Sequence, residues 1–266
     1  MKAVLTLVHP REVLGNKRLG LAPEAAWWAD CLDDFDAVSV RMRTWVERQR
    51  AKKLLDLASA HGCERHGWNY AYLDTVASAR REARKAAGYC KHYRLSGWWL
   101  NCERHWHEAK DVPEHTAIAF EEEFRACAPG VQLFFNGFWA DQTSRERGSR
   151  PAATKRLVSR FDAWAPMIYG TRRTTISRSW RSRVPRWRPD LPSLDVAPMV
   201  GVGRVDPNGA VWGYSHGSGG LTELVKLTRP QWLAFYYGNG ACGAITRGNI
   251  HHEALCSLVP RLKAIE

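Results

Sequence analysis

The chain contains no apolar run of the roughly 18 residues that a membrane-crossing helix requires, so an integral membrane protein is not expected. It contains no CxxC pair, although Cys31, Cys63, Cys90, Cys102, Cys127, Cys242 and Cys256 are scattered along it. An odd count without paired spacing excludes a disulfide framework and a zinc knuckle, and it predicts free thiols in a reducing compartment. The first strand-like run is not followed by a GxGxxG turn, which argues against a dinucleotide-binding sheet. No GxSxG nucleophile elbow occurs either, and Ser215-His216-Gly217 does not replace one. The N-terminal stretch Met1–Pro10 has one basic residue and no small-residue cleavage site. It reads as a buried strand rather than a signal peptide, so a cytoplasmic location is expected. Acidic residues are scarce: 27 against 39 Lys and Arg, a net charge of +12. Such a balance favours an anionic partner.

What is present is an alternation of apolar runs and amphipathic segments, the pattern of βα units around a parallel sheet. Strands are expected at Ala3–Val8, Ala37–Met42, Gly67–Leu73, Gly97–Cys102, Val131–Phe135, Trp164–Tyr169, Val196–Val202 and Trp232–Tyr237. Several are apolar on both faces, as buried parallel strands are. Helices are expected at Pro23–Phe35, Glu47–His61, Thr75–Tyr93, Glu114–Ala128, Ala152–Phe161, Thr174–Arg183, Leu221–Leu227 and His252–Ala264. Pro23 suits a first turn, Gly62 a stop, and Pro129-Gly130 a terminator. The fold class is α/β, a single (β/α)8 TIM barrel spanning residues 1–266 as one domain.

In this architecture chemistry gathers at the C-terminal ends of strands. Glu103 follows the fourth strand directly. Burial of its carboxylate among tryptophans would raise its pKa and suit it to general-acid work. Thirteen tryptophans are an unusual number. Indoles stack on the CH faces of sugar rings, so Trp45, Trp68, Trp99, Trp106 and Trp139 are candidate substrate contacts, with Asn136 and Asp206 as polar ones. Aromatic and basic clefts also suit single-stranded nucleic acid, a less favoured partner here. Gly213–Gly220 reads as a loop able to act as a lid. His105 and His107 form an H-x-H beside Glu103, which keeps a metal-dependent hydrolase as a minor alternative. The principal reading needs no metal and no cofactor.

The segment Gly97-Trp98-Trp99-Leu100-Asn101-Cys102-Glu103 resembles the fourth-strand motif D-G-x-D-x-D-x-E of family-18 (chitinase-like) glycoside hydrolases. Gly97 takes the glycine position and Glu103 the final acid. Ser96, Trp99 and Asn101 stand where that family has its other acids. Met167-Ile168-Tyr169 is similar to the family's sixth-strand Met-x-Tyr. The same fourth-strand stretch is also similar to the Leu-Asp-x-Glu strand of family-25 lysozymes, whose first-strand aspartate has no counterpart in Leu5–His9.

The resemblance implies that Glu103 protonates a glycosidic oxygen. Asn101 and Tyr169 would orient an N-acetyl group whose carbonyl acts as internal nucleophile. The alternative is a second carboxylate, Asp141 or Asp206, facing Glu103. The expected substrate is a β-linked N-acetylhexosamine polysaccharide, peptidoglycan ahead of chitin because a basic enzyme suits an anionic wall. A compact basic wall-degrading enzyme of this kind suits a phage endolysin released at lysis. A non-catalytic barrel that binds polysaccharide or a virion partner is the second reading, since Asn101 and Trp99 replace acids.

Overall fold

The structure, a computed structural model, describes residues 1–7, 32–102, 106, 108–137, 155–168, 196–202, 217–237 and 258–265. These residues hold the strands β1 (Lys2–Leu7), β2 (Ala37–Arg41), β3 (Glu64–Tyr70), β4 (Gly97–Cys102), β5 (Gln132–Gly137), β6 (Ala163–Ile168), β7 (Met199–Val202) and β8 (Trp232–Tyr237). The helices are α1 (Trp45–Ala60), α2 (Val76–Tyr93), α3 (Pro113–Cys127), α4 (Lys155–Val158), α5 (Gly217–Thr228) and α6 (residues 258–263). The expected helix at 174–183, and residues 23–31 of the one expected at Pro23–Phe35, lie outside the described residues.

The chain falls into two compact units. The first comprises Met1–Glu64, Ile168–Arg186 and Pro198–Glu266, and the second Arg65–Met167 and Trp187–Ala197. In the first unit, β7, β8, β1 and β2 are neighbours in that order, all parallel. In the second, β3, β4, β5 and β6 form a parallel sheet in chain order. Each is a half-barrel of parallel strands with crossover helices, the arrangement of a TIM-barrel-like fold.

Local sequence explains the elements. In α1 the buried residues Ala51, Leu54, Leu55 and Ala58 recur at helical spacing. The helix ends where Gly62 takes a φ of +78° and the Cys63 N–H reaches back to the Ala58 carbonyl at 3.0 Å. A capping box starts α2: the Thr75 hydroxyl accepts from the Ser78 N–H, and Ser78 accepts from the Thr75 N–H. Pro113 begins α3 at its first turn.

Residues paired across parallel strands share a face. In the second unit Trp98 stacks on Tyr89 of α2, with ring centroids 6.3 Å apart, so that face of β4 meets the helices. The opposite face is built in levels. His66, Gly97 and Gln132 form the lowest, Trp68, Trp99, Phe134 and Ala163 the next, and Tyr70, Asn101, Asn136 and Ala165 the highest. Trp99 lies flat on Phe134 at 4.2 Å and 7°, and its indole N–H donates to His66 Nδ1 at 3.2 Å. An indole N–H can only donate, so Nδ1 of His66 carries a lone pair. A Cβ at Gly97 would stand 2.6 Å from the His66 ring. Glycine at 97 is therefore required by the imidazole beside it.

Three expectations need correction. β3 begins three residues before the expected Gly67, because the polar-looking Glu64-Arg65-His66 is strand and His66 is buried in it. β7 is shorter than expected, starting at Met199 rather than Val196. The last four residues of the glycine-rich stretch, expected as loop, are the first turn of α5.

Candidate functional site

The best-described part of the expected site is the C-terminal edge of β3, β4 and β5. Asn101 lies within β4, as the expected strand has it, 4% exposed and paired in register with Tyr70 on one side and Asn136 on the other. Asn136 likewise lies inside β5, and its side-chain amide donates to the Ala165 carbonyl at 2.9 Å. Two amide side chains thus stand side by side in the highest level, above one built from Trp68, Trp99 and Phe134. Strand geometry explains the placement: Trp99 and Asn101 are two residues apart and so share a face, while Trp98, Leu100 and Cys102 take the other.

The edge is reinforced from the β3–α2 loop. The Ala71 N–H donates to the Asn101 carbonyl at 2.8 Å, which extends the β3–β4 ladder beyond β3. The Glu82 carboxylate, reaching back from α2, accepts the N–H groups of Tyr72 (3.4 Å) and Leu73 (3.2 Å). Burial raises the Glu82 pKa above its ordinary value, and the two N–H donors partly oppose that shift. Asp74 pairs with Lys110 at 2.9 Å. That hydrogen bond holds the Asp74 carboxyl below its ordinary value and raises the lysine. The Val76 N–H donates to Asp111 Oδ2 at 2.8 Å, and the Asp111 N–H to the Asp74 carbonyl at 3.1 Å. The loops following β3 and β4 are stitched together by these last three contacts, Asp74–Lys110, Val76–Asp111 and Asp111–Asp74.

The other expected site residues divide clearly. Trp68, Trp99 and Trp106 were expected as sugar contacts, but they are 2%, 0% and 0% exposed, and each has a packing role. Trp68 sits edge-on to Tyr70 at 5.5 Å. Trp106 faces Phe135 at 5.5 Å and donates to the Pro113 carbonyl at 2.9 Å, which fixes the start of α3. Their rings fill the protein because large aromatic surface is worth most when removed from water. Trp45 is 66% exposed as the first residue of α1, in the first unit. Glu103, Tyr169, Asp141, Trp139 and Asp206 lie outside the described residues, as do His105 and His107.

Among the described residues no group of three His, Cys, Asp or Glu side chains has metal-holding geometry. None of the described helices is long and apolar enough to cross a membrane.

No protein-family model matches the chain, and no curated protein is similar to it in sequence. Solved structures are similar in fold. A chitinase from Chromobacterium violaceum matches with a TM-score of 0.65 over 100% of both chains at 11% identity. A GH18 chitinase from Pseudoalteromonas aurantia gives 0.61 at 12% identity, covering 95% of this chain and 100% of that one. A GH30 endoxylanase from Clostridium papyrosolvens gives 0.55 at 10% identity, over 97% of this chain and 71% of that one. At such identities the likeness is one of fold, and function has to be argued from the site.

Proposed function

We propose that the chain is a glycoside hydrolase built as a single-domain (β/α)8 barrel, with Glu103 as its general acid. The observation that carries this reading is the position of Asn101. It lies in the highest described level of the β4 face turned away from the helices, beside Asn136 and two residues before Glu103. Position 103 is the next in sequence after Cys102, the last residue of β4. Chitinases and an endoxylanase are among the proteins that share this fold.

The substrate proposed is a β-linked N-acetylhexosamine polymer, peptidoglycan ahead of chitin, in an endolysin-like role. Charge supports the anionic wall. The exposed side of α2 carries Arg80, Arg81, Lys85 and Lys91, and none of them forms an ion pair among the described residues. In the proposed reaction Glu103 donates a proton to the glycosidic oxygen as the C–O bond breaks. The substrate's own N-acetyl carbonyl attacks the anomeric carbon, and water then opens that intermediate. Asn101 and Tyr169 orient the N-acetyl group. Asp141 and Asp206 are the candidates for a second carboxylate if the reaction uses one.

Glu103→Gln tests the proposal. It is expected to abolish clearing of bacterial wall suspensions by the wild-type chain while wall binding is kept. Absence of both clearing and sugar release from peptidoglycan and from chitin by wild type sinks the enzyme reading. That result would favour the second one, a non-catalytic polysaccharide- or virion-binding barrel, to which the amide at position 101 in place of an acid also points.

A further inference from the structure

We infer that the outer face of α2 is a docking surface for a linear polyanion of the cell wall. The identity of the ligand rests on the wall-hydrolase reading, while the observations use no residue of the catalytic proposal.

The first observation is charge without counter-charge. α2 buries Ala79, Ala83, Ala86, Ala87, Cys90 and Tyr93, so its opposite face is turned to water. That face carries Arg80, Arg81, Arg84, Lys85 and Lys91, and the whole helix holds a single acid, Glu82. Arg84 is held by Glu123 of α3 at 2.8 Å. The side chains of the other four form no hydrogen bond or ion pair among the described residues. Glu82 is committed elsewhere: it is half-buried and accepts the Tyr72 and Leu73 N–H groups. Arg81 and Lys85 act on it only through their field.

The second observation is what this face costs the helix. Arg80–Arg84 and Arg81–Lys85 are like charges at i, i+4, the spacing at which they repel. The first turn holds no acid, although a carboxylate there would complement the helix dipole. Gly88 stands in the helix interior, where glycine is less favourable than alanine. Packing does not require it, because a Cβ at 88 would meet nothing within 4 Å. Among the described residues no contact offsets these losses. A face that only had to be soluble would intersperse both signs of charge. Local rules broken together without a gain inside the fold point to a partner outside it.

The third observation is arrangement. Ala77 and Gly88, both exposed, are separated by about three full turns and so lie on one line along the helix. At 3.6 residues per turn, Arg81 and Lys85 flank that line on one side, and Arg80, Arg84 and Lys91 on the other. From Arg80 to Lys91 the charged row is about 16 Å long. The result is a shallow furrow with cations on both banks, suited to an extended anionic chain lying along it. Guanidinium forks match the oxygens of phosphate and carboxylate. The tyrosines of the helix are turned to the protein: Tyr89 stacks on Trp98 at 6.3 Å and Tyr93 is buried. Without a stacking ring the face does not suit single-stranded nucleic acid. It exposes no large apolar side chain that would enter a bilayer. Duplex DNA sets its phosphates on either side of a groove about 12 Å wide, whereas these cations flank one glycine. A flexible linear wall polymer meets all of these conditions.

The test uses the full-length chain. The probes are soluble poly(glycerol phosphate) and purified walls before and after extraction of their phosphodiester polymers. Binding is read by calorimetry and co-sedimentation, and folding by circular dichroism and melting temperature. The quadruple variant Arg80→Gln, Arg81→Gln, Lys85→Gln, Lys91→Gln is expected to lose roughly tenfold or more in affinity for the polymer and to show a shallower salt dependence. Gly88→Leu keeps the charge and fills the line between the cations. It should weaken binding about threefold or more while the melting temperature stays equal or rises. Unchanged affinity in the folded quadruple variant overturns the inference. So does full affinity in Gly88→Leu, which would reduce the surface to unspecific attraction. Equal wild-type binding to extracted and untreated walls overturns it too, as does a higher affinity for duplex DNA or for anionic lipid vesicles than for the polymer. A wild-type chain that binds the polymer through α2 yet cleaves neither walls nor chitin removes the glycosidase reading and leaves the docking surface standing. Wall binding and cleavage that are indifferent to the quadruple variant do the reverse.

Discussion

The two four-stranded sheets use the same device at one edge and fill one face differently. In the first, Asp36 precedes β2 and accepts the Ala3 N–H of β1 at 2.7 Å. In the second, Asp162 precedes β6 and accepts the Leu133 N–H of β5 at 2.7 Å. Each aspartate also donates its own N–H to the carbonyl of the residue it caps, at 2.9 and 3.0 Å. Register is thus pinned in the same way twice, which matters because a one-residue slip would turn every side chain over. The faces then diverge. Val4, Ala37, Met199 and Ala234 form one level in the first sheet, with Thr6, Ser39 and Tyr236 in the next. Two successive levels of the second sheet hold Trp68, Trp99 and Phe134, then Tyr70, Asn101 and Asn136. The hydroxyls of Thr6 and Ser39 are fully buried without a hydrogen-bond partner among the described residues. Backbone polar groups fix the strands, whereas the choice between stacked rings and small hydroxyls decides how much stability each face contributes.

The comparison breaks first at Trp99. Trp99→Ala removes a fully buried ring stacked on Phe134 and should cost about 3–5 kcal/mol in urea unfolding. A loss under 1 kcal/mol would mean that the aromatic face contributes no more than the hydroxyl one. Glu121→Ala comes next. Its carboxylate takes Arg125 Nε at 2.7 Å and Arg160 Nη2 at 2.7 Å, joining α3 to the segment before β6. Both arginines are more than a third exposed, so solvent screening limits the expected loss to about 1–2 kcal/mol. It should shrink in 1 M salt. Gly97→Ala should cost about 1–3 kcal/mol by overpacking against His66. The double variant with His66→Ala should recover part of that loss, and purely additive effects would separate the two residues.

The smallest stability effect is expected in the first sheet. Thr6→Val replaces an unpaired buried hydroxyl with a methyl of similar shape and should be neutral or stabilising by up to about 1 kcal/mol. A loss above 2 kcal/mol would reveal a partner for that hydroxyl. Finally, burial pushes the Cys63 thiol up to about 11 and the Cys90 thiol up to about 12. Both lie above the ordinary thiol value, so the unfolded chain ionises first and stability falls as pH rises through that window. At pH 8.5 native Cys127, which is exposed, should alkylate well before either of them.

Much of the strand pattern was legible because buried parallel strands are apolar on both faces. Gly97–Cys102 and Trp232–Tyr237 were read to the residue. Where side chains look polar but are buried, the pattern misleads. His66 hid the start of β3, and Asn136 was read as lying beyond the strand that contains it. The site was less legible than the fold. Indole frequency suggested a cleft, but exposure separates a sugar platform from a core ring, and exposure is not written in composition.

The strand-capping aspartates set a clock for synthesis. The amide of Ala3 waits for a carboxylate 33 residues downstream, and that of Leu133 for one 29 residues downstream. At ribosomal speeds of about 5–20 residues per second, each delay is on the order of 2–6 seconds. During that interval the donor is left to water and the nascent strand has no fixed register. Slowing translation just after Leu133 should therefore lengthen the period in which the emerging polypeptide depends on chaperones.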